Sequence, residues 1–495
     1  MRIQDWLEGL EYTLQQGSLE AEVNELVYDS RKASAGAVFL CMKGTRTDSH
    51  SFIPQVLGAG VKVLVAEHEV EAPEDVTVLV VKSGREALAK LSAARFGYPA
   101  RKMTMIGVTG TKGKTTTTHM IKTILEAAGK KTGMIGTNGV FIGEERYPTV
   151  NTTPESYDLH RYFEQMIQEG CQCCVMEVSS QAMKMYRVAG ILFDYAIFTN
   201  ISPDHIGPDE HADFEEYLYY KTRLFHQSRR ALVNLDDEHF EEIIKDIPCQ
   251  WTGYGLMEEG NQAKLKDVNG YLAEHIRYVS EPDFVGIEFD IRGEREIPVR
   301  VSIPGKFNVY NGLAAAIVAL WAGVEESRLQ HALEQVKING RMEIVYTSEK
   351  CCVIVDYAHN AVSMESLLET LREYHPRRLV VVFGCGGNRS KDRRYSMGEI
   401  GGRMADLSII TADNSRFEKV EDIIADIRGS IEKTGGKYIE IPDRREAIAY
   451  SITHAEQGDM IAIIGKGHED YQEIEGVRYP FLDRAVVEEV VAGLE

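Results

Sequence analysis

Residues 103–120 read MTMIGVTGTKGKTTTTHM: an apolar run, a glycine loop carrying Gly113-Lys114-Thr115, and a helix-forming segment. Strand, Gly-rich loop and helix N-terminus in succession make a phosphate cradle, because unpaired backbone N–H groups and the helix dipole both favour an anion there. In such a loop Lys114 reaches the β/γ-phosphates and the Thr115 hydroxyl meets Mg²⁺. The strict Walker pattern wants a glycine five residues before Gly113. This chain has Val108 there, with glycines at Gly107 and Gly110, so the loop is a variant P-loop. The competing reading is a Gly-rich turn with a solvated lysine. Four consecutive threonines, poor helix formers, weigh against it.

At 495 residues the chain exceeds one core and predicts about three domains. A net charge of −21 argues against a nucleic-acid partner, which needs a basic footprint. The first residues, MRIQDWLEGLEYTL, contain no apolar signal core, and no run of about 18 apolar residues occurs, so a cytoplasmic protein with no membrane contact is expected. Eight cysteines are too few for a disulfide scaffold, and Cys171, Cys173 and Cys174 read as small hydrophobes of a strand rather than metal ligands.

The pattern is α/β throughout. Residues 1–98 form a small unit with strands at 37–42, 61–66 and 76–81 and helices at 51–58 and 84–96; residues 28–32 and 44–50 read as polar turns. Residues 99–337 alternate strand and helix in the doubly wound manner. Strands are expected at 131–136, 172–178, 193–200 and 231–234, and helices at 214–226 and 308–322. Thr153 or Thr152 can cap a helix starting at Pro154, and 251–303 reads as an antiparallel β insertion. Residues 338–495 restart the alternation with strands at 351–356, 379–384, 407–412 and 460–465. Each runs into a polar or Gly-containing tip: DYAHN, GCGGNRSKDRR, ADNSRFE and GKGHEDYQ. Ligands bind outside the carboxyl ends of strands in open α/β sheets, so four such tips describe a site.

In the middle domain Glu177 ends one strand, and Asp204-His205 follow another that ends at Asn200. A carboxylate and an imidazole near a magnesium nucleotide are plausible metal ligands, against the plainer readings of a capping carboxylate and a turn histidine. A P-loop domain followed by a second α/β domain with its own site implies a ternary centre closed between them. Kinase, GTPase and ligase remain open at this point.

The motifs then carry a resemblance. GTKGKT at 110–115, DSR at 29–31, NTTPE at 151–155, MEVSSQAM at 176–183, FTNISPDH at 198–205, YYKTRLF at 219–225 and FNVYN at 307–311 resemble the Mur ligases, and specifically their diaminopimelate-adding members. DYAHN, FGCGGNR, DNSR and GKGHE extend the likeness through the third domain. The resemblance covers almost the whole chain. It implies a UDP-sugar-binding N-terminal domain, a central ATP-binding P-loop domain and a C-terminal Rossmann-like domain for the incoming amino acid. The implied activity is ATP-dependent addition of meso-diaminopimelate to the D-glutamyl carboxylate of UDP-N-acetylmuramoyl-L-Ala-D-Glu through an acyl phosphate, in peptidoglycan precursor synthesis, by a monomer.

By the same resemblance, Gly110, Thr111, Lys112, Gly113, Lys114, Thr115 and Thr116 hold ATP, joined by Asn308, Arg341 and Asp356. Thr115, Glu177, His205 and Lys221 serve Mg²⁺, Lys221 as a carbamate made with CO₂, which requires a neutral amine. Without the family Lys221 reads as a solvated helix lysine. Ser30 and Arg31 fall at the uridine nucleotide, and Asn151, Thr152, Thr153, Glu155, Ser179 and Arg187 near the muramoyl dipeptide. His359, Arg389, Asp413, Asn414, Arg416, Gly465 and Glu469 fall at the amino-acid pocket. Guanidinium pairs with carboxylate and Glu469 with ammonium, which suits a zwitterionic end and disfavours L-lysine. Three departures from the family stand out: Ser415 replaces the proline of DNPR, Gln181 a frequent histidine, and Asn360-Ala361 the usual Thr-Pro. The rival readings are the same ligase adding L-lysine or another diamino acid, a folylpolyglutamate- or cyanophycin-type ligase, a P-loop phosphotransferase, and a non-catalytic scaffold.

Overall fold

The computed structural model describes residues 1–44, 47–204, 206–207, 210–265, 269–281, 283–293 and 295–494. They form two compact units: Met1–Tyr271 with Ala314–Glu325, and Leu272–Leu313 with Glu326–Glu495. The α/β expectation holds in both.

The first unit begins with a five-stranded sheet in the order Tyr12–Gln16, Thr77–Val81, Val63–Ala66, Ala37–Leu40, Glu25–Val27; only the first pairing is antiparallel. Ala37–Leu40 and Val63–Ala66 are buried at every residue, which explains their continuous apolar runs: a parallel sheet covered on both faces has no solvent side to alternate with. The polar stretches expected as turns contain short capped helices, Ser30–Lys32 after Asp29 and, from the end of the second stretch, Ser49–Phe52 after Asp48; residues 45 and 46 lie outside the described residues.

A larger sheet follows. Gln250–Leu256, Ser228–Asn234, Phe193–Phe198, Thr104–Thr109, Cys173–Glu177 and Thr132–Gly136 lie side by side in that order, all parallel, and Gly139–Ile142 and Glu145–Tyr147 extend it as antiparallel strands. Thr104–Thr109 is the switch point, with later strands added on both its sides. The register sets Glu177 beside Val108 and Phe198 beside Thr109, so three strand ends converge on the loop after Thr109. Cys173 and Cys174 are buried strand residues, and all eight cysteines are free.

Two expectations are corrected here. The helix placed at Pro154 is Ser156–Gln168, and neither threonine caps it. Thr153 Oγ1 instead donates to the Glu177 carbonyl (2.9 Å) and accepts from Ser179 N–H (3.1 Å), while the Thr152 hydroxyl meets that of Thr137. The antiparallel insertion starts later than 251: Gln250–Leu256 pairs in parallel with Ser228–Asn234. Alternation of apolar and polar residues reports a half-buried strand but not the direction of its neighbour.

In the second unit, the strand Gly270–Glu281 from Leu272 onward makes an antiparallel meander with Phe284–Arg292 and Glu296–Val301. A six-stranded sheet runs in the order Glu343–Thr347, Cys351–Asp356, Asp459–Ile464, Arg378–Phe383, Leu407–Ile410, Tyr438–Glu440, antiparallel only at its first pairing. All four predicted strands are present, and being mutually parallel they deliver their polar tips to one edge. The edge strand Glu343–Thr347 and the hairpin Tyr471–Ile474/Val477–Pro480 were not anticipated. Among the described residues no helix is long and apolar enough to cross a membrane.

Candidate active site

The loop between Thr104–Thr109 and the helix Lys114–Ala127 is built on two left-handed glycines, Gly110 (φ 140°) and Gly113 (φ 85°). A Cβ at Gly110 would fall 1.9 Å from Thr199 Oγ1, so no larger residue fits. Gly113 also offers no capping side chain, which leaves the first-turn N–H groups of the helix facing an anion site. The loop is held from outside: Lys112 N–H donates to Asn200 Oδ1 (2.9 Å), and the Thr111 hydroxyl meets Tyr217 OH (3.1 Å). Thr116 sits half-buried in the first turn of that helix.

Glu177 is buried at the end of its strand. Its Oε1 accepts from the Thr115 hydroxyl and from Thr137 N–H, both at 2.9 Å, and its Oε2 from the Thr137 hydroxyl at 3.1 Å. Gly136 makes room for it, since a Cβ there would lie 2.3 Å from Oε1. A hydroxyl and a carboxylate in contact, beside a phosphate cradle, are the hard oxygen donors Mg²⁺ takes when phosphates and waters complete its shell. The residues present therefore fit that ion. His205 lies outside the described residues.

Lys221 is not the solvated lysine its sequence context suggests. It is buried, its Nζ donates to the Gly110 carbonyl at 2.7 Å, and it lies over the Tyr217 ring at 4.5 Å. Burial, then the positive charge of Lys114, drives its amine well below the ordinary lysine pKa. Lys114 Nζ bonds the Gly110 and Thr111 carbonyls at 2.9 and 3.0 Å.

Four of the residues expected at the dipeptide come together. Arg187 Nε donates to Glu155 Oε1 (2.9 Å) and its Nη1 to the Thr153 carbonyl (3.0 Å), while the Ser179 hydroxyl caps the helix Ser180–Lys184 through Ala182 N–H. Asn151 is exposed nearby in sequence. Arg31 extends into solvent from its pair with Asp29, whose carboxyl the guanidinium holds at about 2. Ser30 opens the same short helix.

In the second unit the strand tips enclose a cavity of about 290 Å³ lined by Tyr357, His359, Arg389, Arg393, Asp413, Asn414, Arg416, Gly465 and Glu469, among others. Gly465 (φ 112°) is obligatory, because a Cβ would meet Asp413 Oδ2 at 2.7 Å. Asn414 Nδ2 donates to Glu469 Oε2 (3.0 Å), Arg416 Nη1 to the Gly387 carbonyl (2.7 Å), and His359 Nδ1 meets the Tyr357 carbonyl. A wholly buried ammonium, Lys466 Nζ, bridges Asn414 Oδ1 and Glu469 Oε2, both at 3.2 Å. Behind the tips the buried Arg444 pairs with Asp483 through two 2.7 Å bonds and also donates to the carbonyls of Ala412 and Ile464. Three guanidinium side chains beside the carboxylates of Asp413 and Glu469 offer complementary charges to a ligand end that carries both signs.

Asn308, Arg341 and Asp356 also belong to the second unit. The Asp356 carboxylate accepts from Met342 and Ala358 N–H, both at 2.7 Å, yet burial raises its pKa. Arg341 stands over the Tyr357 ring, and Asn308 bonds Pro304 and Asn311.

Sequence reasoning missed Thr137, Lys466, Arg393 and Tyr357. Lys466, Arg393 and Tyr357 lay inside the polar tips already singled out, so their signal was present. Thr137 had none, since it follows a strand end with no motif of its own.

Family models match along the chain: "Mur ligase family, catalytic domain" over residues 22–96, "Mur ligase middle domain" over 108–319 and "Mur ligase, glutamate ligase domain" over 340–467. A UDP-N-acetylmuramoyl-L-alanyl-D-glutamate--2,6-diaminopimelate ligase of Clostridium perfringens is 38% identical over the full length of both chains. One of the same name from Aquifex aeolicus is 39% identical over 95% of this chain and 94% of its own. A solved structure of that name is 27% identical, with a TM-score of 0.78 over 100% of this chain and 99% of the other. Full-length identity at this level, with phosphate cradle and charged pocket in their places, means that the chain belongs to the Mur ligase family of ATP-dependent ligases that form amide bonds.

Proposed function

We propose that this ligase joins meso-diaminopimelate to the D-glutamyl carboxylate of UDP-N-acetylmuramoyl-L-Ala-D-Glu, with ATP converted to ADP and phosphate. The observation that carries the choice of amino acid is the pocket of Arg389, Arg393, Arg416 and Glu469. A far end bearing carboxylate and ammonium pairs with both signs there; L-lysine, lacking the second carboxylate, leaves the guanidinium groups unpaired. The activity for which the relatives are named agrees with this reading.

A carboxylate is a poor electrophile, so it must be activated. The γ-phosphoryl group passes from the β–γ bridging oxygen to a carboxylate oxygen, and ADP leaves. The amine then attacks the acyl carbon, the new C–N bond forms, the C–O bond to phosphate breaks, and the amine proton is lost. Gly110 to Thr116 wrap the phosphates of ATP, and Lys114 offsets their charge. Thr115, Glu177, His205 and Lys221 as its carbamate would hold Mg²⁺, which when bound supplies further neutralisation at the β/γ-phosphates. Lys221 reaches that state because an amine held neutral by burial can take up CO₂ and release a proton, giving an anionic oxygen donor. Asn308, Arg341 and Asp356 serve the nucleotide. Ser30 and Arg31 serve the uridine nucleotide, and Asn151, Thr152, Thr153, Glu155, Ser179 and Arg187 the dipeptide.

On this reading the chain comprises a UDP-sugar domain (1–98), an ATP domain (99–337) and an amino-acid domain (338–495), and acts as a cytoplasmic monomer. The test is phosphate release from ATP in the presence of the UDP-dipeptide, comparing meso-diaminopimelate, L-lysine and related diamino acids. Release that depends on meso-diaminopimelate is expected. Release with L-lysine at equal efficiency would remove the assignment of the pocket.

A further inference from the structure

The hairpin Tyr471–Ile474/Val477–Pro480 turns through Glu475 and Gly476, both with positive φ (50° and 77°), the requirement of a tight type I′ turn. It lies against the DNSR tip and is stitched to it residue by residue. Gln472 Nε2 donates to the Asp413 carbonyl (3.3 Å) and Glu473 N–H to Asn414 Oδ1 (2.9 Å). Arg416 N–H donates to the Glu473 carbonyl (3.0 Å), and Glu475 N–H returns a bond to the Arg416 carbonyl (2.6 Å). Arg416 is itself left-handed (φ 52°), a conformation that costs a non-glycine residue energy and persists only where its surroundings impose it.

The side chains repeat the pairing. Glu473 Oε2 lies 3.5 Å from Arg416 Nε, and Arg416 Nη1 is anchored to the Gly387 carbonyl at 2.7 Å. A guanidinium hydrogen-bonded at Nη1 and flanked at Nε by a carboxylate is biased toward one plane and one direction, which is what bidentate recognition of a carboxylate needs.

We propose that Glu473 is a positioning residue for the incoming amino acid, acting through Arg416: it fixes the guanidinium plane that receives the far carboxylate of the ligand. This rests on the reading of the pocket given above. The sequence signal was absent, because Glu473 lies outside every motif and reaches the tip only through the hairpin.

The experiment is a double-mutant cycle on the full-length enzyme with Glu473→Gln and Arg416→Lys, measuring KM for meso-diaminopimelate, KM for ATP and kcat. Glu473→Gln keeps the size of the side chain and the hairpin's backbone bonds. It is expected to raise KM for the amino acid roughly threefold to fivefold, the scale of a partly exposed ion pair, with KM for ATP and kcat unchanged and Glu473→Asp intermediate. In the Arg416→Lys background the same change is expected to have no further effect. An unchanged KM in Glu473→Gln, or an equal rise in both backgrounds, would overturn the positioning role. Arg416→Lys with unchanged KM would instead overturn the pocket reading itself, so the two failures are told apart.

Discussion

Lys114 and Lys221 converge on one acceptor: their Nζ atoms lie 2.9 and 2.7 Å from the carbonyl oxygen of Gly110. Burial, together with the positive charge of Lys114, holds the Lys221 amine well below the ordinary lysine pKa. Wild-type protein in ¹³C-bicarbonate is therefore expected to show a carbamate resonance that Lys221→Met lacks. Phosphate release should fall by about 10²–10³-fold in that variant, the usual loss when one group that stabilises developing charge is removed. Lys221→Arg should be equally inactive, because a guanidinium stays protonated and cannot take up CO₂. A normal rate in either variant would remove Lys221 from the chemistry.

Ser415 replaces the proline of the diaminopimelate motif, yet its N–H donates to no described group and its φ is not left-handed. Proline can therefore enter without forfeiting a hydrogen bond. Ser415→Pro is expected to leave KM for meso-diaminopimelate within about twofold and to stabilise the protein by about 0.4–1 kcal/mol through its unfolded chain. Thermal unfolding and steady-state kinetics check both halves.

Arg444 and Asp483 have no exposed side-chain surface at all. Asp483→Ala leaves a buried guanidinium without its counter-ion, and a loss of about 3–5 kcal/mol is expected in urea unfolding. Replacing both residues by apolar ones of similar volume should recover most of that loss, since the pair's desolvation cost disappears along with its attraction.

His160 sits in the helix Ser156–Gln168 with both ring nitrogens buried and without a partner, and burial lowers its pKa to about 3. Between pH 3 and 6.5 the unfolded chain binds a proton at this site that the folded chain does not, so stability rises with pH across that window. One such proton gives a slope of up to about 1.4 kcal/mol per pH unit. His160→Leu is expected to flatten the acid limb of the stability profile; an unchanged limb would show that the ring is solvated.

The phosphate cradle, Glu177 and the four strand tips were legible in the sequence because each is a local pattern: a glycine spacing, a strand end, a polar tip on an apolar run. The state of Lys221 was not legible without the family, since burial of one helix residue depends on the loop at Gly110, more than a hundred residues away, whose carbonyl its Nζ meets. The same holds for Thr137, which matters only because the register of two parallel strands brings it to Glu177. Thr152 and Thr153 carried the local signal of a cap, but their hydroxyls are taken by tertiary hydrogen bonds instead.

The hydrogen bonds from Arg444 to the carbonyls of Ala412 and Ile464 tie together the chain just before two walls of the amino-acid pocket, Asp413–Asn414 and Gly465. Those walls are thus preorganised: their conformational entropy is surrendered when the unit folds and not when the ligand arrives. Association of the amino acid then demands little rearrangement of these tips. Loosening the Arg444 tether should slow capture and weaken affinity together, although Arg444 does not line the pocket.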